Sequence, residues 1–154
     1  MNLLSMVIIF GARCLLVLLF LPFSALDKFF NFKQAVAQAA EAVRAHWAAN
    51  ALIITGLCVE IVMSVCILTG IADRAAACVM AAYCLMTAIL WKQFWKTADF
   101  RLIGASRGRD VFWDFLKNLA LAGGFLLLAL GPRAASVQEF LQHPLASSHP
   151  YSVG

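Results

Sequence analysis

The sequence predicts an all-α fold: an integral membrane four-helix bundle with an interfacial amphipathic helix between its first two spans. Two observations carry this. Of 154 residues, 63% are hydrophobic and only 13% charged, against about 25% charged in soluble domains. Four apolar windows are long enough to cross about 30 Å of hydrocarbon, which takes about 20 helical residues. They run over about 3–26, 47–71, 75–95 and 112–131. Together they make one four-transmembrane-helix domain, 1–131, and leave 132–154 as a loosely ordered C-terminal tail.

The first window reads as a retained span and not as a secretory leader. It lacks a basic start, its apolar run is too long, and Phe23 stands three residues before the only reasonable cleavage point, after Ala25. Arg13 lies near its middle. A charge at that depth costs about 2.5–3.5 kcal/mol on insertion scales, so it should face protein and find a partner. Arg13, Val17, Phe20, Ser24 and Lys28 follow one helical face, and Pro22, with no amide hydrogen, should loosen or kink the lower turn.

After Phe29, Phe30 and Phe32, the alanine-rich stretch Gln34–Arg44 reads as the amphipathic helix on the interface. His46, beside Trp47, reads as an interfacial residue because no second ligand accompanies it.

The second span carries Glu60 at its centre, on a small and polar face with Gly56 and Ser64. Matching depths in antiparallel helices predicts a buried ion pair between Arg13 and Glu60. Structural glue and a protonatable Glu60 that handles the proton of a substrate or quinol are both open readings. The third span is rich in alanine and ends in the belt Trp91–Lys96, with snorkelling Lys92 and Lys96. The loop Thr97–Asp110 is basic enough to meet anionic lipid headgroups, yet it follows no strand and lacks the lysine ending of a phosphate-binding loop.

The fourth span carries Asp114, Lys117, Asn118 and Leu121 on one face. Asp114 and Lys117 can pair, which leaves Asn118 to bond across the bundle. With Ser24 and Lys28 at similar depth, these three side chains outline a candidate polar pocket. In the tail, His143 and His149 make a weak case for metal, so no metal site is assigned. No catalytic residue is assigned either.

All five cysteines, Cys14, Cys58, Cys66, Cys78 and Cys84, fall within or at the spans, without a CxxC pair or a basic neighbour that would favour thiolate. They read as small hydrophobes. The net charge of +4 is too modest and too divided between loops to suggest nucleic acid. Lys28, Lys33 and Arg44, with Lys92, Lys96, Arg101, Arg107 and Arg109, oppose only Arg74 and Arg133. This asymmetry predicts cytoplasmic long loops and both termini outside, which is the periplasm if the membrane is the cytoplasmic (inner) membrane of a Gram-negative bacterium.

Three pieces of the sequence resemble the DoxX family of small bacterial four-helix membrane proteins. The first is Arg13 followed by Phe20, Ser24, Ala25 and Lys28; the second is Glu60 followed by Leu68-Thr69-Gly70. The third, and most specific, is Phe115-Leu-Lys-Asn-Leu-Ala-Leu-Ala-Gly-Gly124. Ala25 departs from a frequent glycine and Val17 from a frequent small residue. The resemblance implies a membrane subunit accompanying an oxidoreductase, such as a thiosulfate:quinone oxidoreductase or an assembly handling thiol stress, and it marks Arg13, Glu60, Lys117 and Asn118 as functional candidates. The expected function is thus an accessory or anchoring component of a quinone-linked redox complex, more a non-catalytic subunit than an enzyme. Its expected partners are membrane lipids and other subunits of that complex; a quinone or lipid is its expected ligand, with no intrinsic cofactor. The alternative is a small-solute transporter or lipid-handling protein, since intramembrane charges often line pathways.

Overall fold

The computed structural model describes residues 3–41, 43, 45–131 and 134–151. Four helical stretches are long and apolar enough to cross a membrane: Leu3–Phe30, His46–Thr69, Asp73–Lys96 and Arg107–Leu130. The first is composite. Helix α1 (Leu3–Val17) leads into a widened π-type turn at Leu19–Ser24, and α2 (Ala25–Phe30) resumes the course. The break falls where the sequence places it: Pro22 has no N–H to give, and Leu21 just before it is extended at φ −122°, ψ 113°.

Helix α3 (Phe32–Ala40) is the short amphipathic helix between the first two spans, and it packs on α4 (His46–Thr69) through the buried Ala39. Gly70, in the left-handed region at φ 78°, ends α4. Three residues later α5 (Asp73–Trp91) begins, followed by a 3-10 turn at Phe94–Lys96.

Helix α6 (Arg107–Leu130) starts five residues before the expected Phe112, because its polar first turn is capped. The Ser106 hydroxyl accepts from the Arg109 amide at 3.1 Å, and the Asp99 carboxylate takes the amides of Arg107 at 2.8 Å and Gly108 at 3.1 Å. Arg107 and Arg109 therefore belong to the helix and not to the loop. The tail also departs from expectation: Ala134–Gln142 forms α7, and residues 147–151 fold back on the bundle.

Helix α5 is the central element, packed along α6 on one side and α4 on the other. Lipid tails are as apolar as leucine, so helices gain little by hiding apolar surface from them and associate instead by close packing of small residues. Ala76, Ala77, Ala81, Cys84 and Ala88 of α5, with Ala122 and Ala129 of α6, supply that close approach, and Val17, Phe20, Ile67, Met80 and Phe125 fill the remaining core. Large exposed side chains such as Leu4, Leu15, Ile54, Met86 and Leu127 form the outer, lipid-compatible surface.

Candidate functional site

Past the break at Pro22, the chain turns Ser24 and Lys28 toward α4. They stand one turn apart, and the Lys28 ammonium donates to the Ser24 hydroxyl at 2.9 Å. Both also donate to Glu60, which is only 1% exposed: Lys28 in a short ion pair with Oε1, and Ser24 at 3.0 Å to the same oxygen. The Tyr83 hydroxyl of α5 completes the set by donating to Oε1 at 2.8 Å while accepting from Lys28 at 3.1 Å. Gly56 makes room for this hydroxyl, since a Cβ there would stand 3.2 Å from it. Phe20 packs edge-on against the Tyr83 ring, and Phe125 lies beyond Phe20.

This is a lysine, a carboxylate and a phenol joined by hydrogen bonds in a buried part of the bundle. In low dielectric such hydrogen bonds strengthen one another. The lysine offsets the cost of a buried carboxylate, and its side chain, 18% exposed, links the centre to the outer surface.

Arg13 belongs to a second centre. Its Nη2 donates to Asp73 Oδ2 at 2.6 Å and to the Ser148 hydroxyl at 2.9 Å, while Nη1 donates to the Ile67 carbonyl at 2.5 Å. Asp73, fully buried, also accepts from the Ser148 amide at 2.8 Å and from its hydroxyl. The returning tail closes over this pair. Tyr151 presents its ring 6.0 Å from the guanidinium and donates to the Leu68 carbonyl at 2.6 Å, and the Ser147 hydroxyl accepts from the Ala72 amide at 3.0 Å. Burial raises the Tyr151 phenol above its ordinary pKa, against the opposing pull of Arg13. Beside it, Arg74 holds the ends of α6 and α7 together by donating to the carbonyls of Ala129 at 2.9 Å and Ser136 at 2.6 Å.

The expected pair of Arg13 with Glu60 therefore does not form. Aligning span centres ignored both the broken helix and the α4–α5 turn. In the folded chain Arg13 is level with Ile67, one turn from Asp73's end of the bundle, while Ser24 and Lys28 come level with Glu60. Each charge takes the opposite charge at its own depth.

The expected five-residue pocket divides as well. Ser24 and Lys28 join Glu60, whereas Asp114 pairs with Lys92 at 3.1 Å and Lys117 at 3.2 Å on an open flank, with Lys117 72% exposed. Asn118 lies between, donating to the Asp114 carbonyl at 2.9 Å and accepting from the Thr87 hydroxyl across the α5–α6 interface at 3.3 Å. Two clefts of about 350 and 330 Å³ flank Tyr151; Glu60 lines neither. Among the described residues no three His, Cys, Asp or Glu side chains cluster as metal ligands.

Sequence reasoning missed Asp73, Tyr83, Ser148 and Tyr151. A signal existed for Tyr83, because a phenol inside an otherwise apolar span needs a hydrogen-bond partner. Asp73 looked like an ordinary turn residue, and nothing in the tail announces that it returns.

Comparison with known protein families finds the DoxX model over residues 8–93. No curated protein and no solved structure matches the chain. The match spans more than half of the chain and holds Arg13, Ser24, Lys28, Glu60, Asp73 and Tyr83, but it stops before the Phe115–Gly124 stretch on which the resemblance leaned most. This multi-pass membrane protein belongs to the DoxX family.

Proposed function

We propose that the chain is an accessory membrane subunit of a quinone-linked oxidoreductase assembly, seated in a bacterial inner membrane with both termini on the periplasmic side. The observation that carries this reading is the Lys28–Glu60–Tyr83 centre. A quinone that is reduced or reoxidised by the partner enzyme within the membrane takes up or gives out protons, and a group that can exchange them is needed where water is scarce. We take Glu60 as that group: Lys28 pairs with its carboxylate, Ser24 and Tyr83 fix its orientation, and the partly exposed lysine offers a way out. The gathering of basic residues at one end of the four spans, in the two long connections and the helix turns beside them, supports the orientation.

Gentle purification from the native membrane tests the proposal. A redox partner should copurify, and added quinone should raise the unfolding temperature of the native protein but not of Glu60→Gln. Recovery solely as a free monomer or homo-oligomer, with no response to quinone, would refute it.

A further inference from the structure

Two buried polar atoms have no hydrogen-bond partner among the described residues: Glu60 Oε2 and the Ser64 hydroxyl. They lie one turn apart on the inner face of α4, in residues 1% and 0% exposed. The imbalance at Glu60 is marked, because Lys28, Ser24 and Tyr83 all donate to Oε1 and leave the other oxygen of the same carboxylate without a donor. Polar groups in such surroundings are nearly always paired, with protein or with ordered water.

We propose that Glu60 Oε2 and the Ser64 hydroxyl together bind one buried water molecule, which donates to the carboxylate and accepts from the serine. The chemistry selects this guest. An anion would be repelled by the carboxylate. A cation would add uncompensated charge, since Lys28 already balances Glu60. Glu60, Ser64 and Ile67, which follow one another along this face of α4, are at most 1% exposed, so the guest would be enclosed by protein. Water both donates and accepts, and buried waters typically make two to four such bonds.

The site extends the polar face of α4. Ser64 stands between Glu60 and Ile67, whose carbonyl receives Arg13, so the water lies on the side of Glu60 that faces the Arg13–Asp73 centre. It would give Glu60 a second proton-exchanging neighbour besides the Lys28–Tyr83 side. The inference does not depend on the quinone reading.

Two measurements on the full chain test it. A crystal structure that resolves ordered water should show one peak within about 3 Å of both Glu60 Oε2 and Ser64 Oγ. Thermal unfolding of Ser64→Ala should show a melting temperature lower by about 2–4 °C, because the water loses one of its anchors. A hydroxyl with no guest would instead be relieved by alanine. Each of the following alone overturns the proposal: no peak, a direct bond between Ser64 and Glu60, a larger molecule at the site, or an unchanged or raised melting temperature.

Discussion

Removing the Asp73 carboxylate should destabilise the protein more than removing any other single acid, and a double-mutant cycle can show which partner Arg13 uses. At 2.6 Å the attraction between Arg13 and Asp73 is about 6 kcal/mol at an effective dielectric constant of about 20, before desolvation is subtracted. Asp73→Ala would leave a guanidinium 6% exposed without its counter-charge, a loss of about 3–5 kcal/mol. It would also strip the acceptor from the Ser148 amide and hydroxyl. Combining Asp73→Ala with Arg13→Met removes the orphaned charge and should restore at least about 2 kcal/mol, since apolar replacement of a buried pair is often neutral or better. Glu60 is seven residues from Ile67 along α4, a rise of about 10 Å; at that separation its direct attraction to Arg13 is about 1.7 kcal/mol. Lys28 cancels most of it, so the Arg13–Glu60 coupling should stay below about 1 kcal/mol. Equilibrium unfolding in mixed micelles with increasing denaturing detergent measures both cycles. A coupling of Arg13 to Glu60 as large as that to Asp73 would refute the two-centre arrangement.

Three further outcomes are expected. Tyr83→Phe removes a hydroxyl bonded to the buried Glu60 and should cost about 1.5–3 kcal/mol, as for hydrogen bonds to charged groups; a change indistinguishable from zero in the same unfolding assay would show that Tyr83 is no part of the centre. Gly70→Ala and Gly104→Ala both force alanine into the left-handed region, at φ 78° and 83°, but only at Gly70 does the new Cβ meet the Pro150 ring, at 2.8 Å. Limited proteolysis should therefore cut the tail faster in Gly70→Ala alone, and equal cutting in both would mean that the tail does not dock there. Because folding raises the Tyr151 phenol, its contribution to stability is complete below the usual tyrosine value of 10.0 and is lost as pH climbs through the raised folded value. Comparison with Tyr151→Phe should show this loss above about pH 10 in the native chain only; parallel pH profiles would contradict it.

Much of the fold was legible from hydropathy, because a bilayer demands apolar runs of a set length and leaves few alternatives. The edges were less so. The first turn of α6 is polar and held by Ser106 and Asp99, which an apolar window passes over. The tail has too few apolar residues to suggest a docked segment, and its order comes from polar contacts with Ala72, Asp73 and Leu68.

From composition and spacing alone, it followed that Arg13 and Glu60 sit deep in a four-span bundle and must each meet something polar, because neither charge is tolerated unpaired in hydrocarbon. Tertiary structure alone decided with what. Partner choice depends on helix register and on the few ångströms a side chain can reach. The break at Pro22 and the return of the tail set both, bringing Ser148 to an arginine 135 residues away in sequence. Periodicity along one helix carries no record of the height at which its neighbours stand.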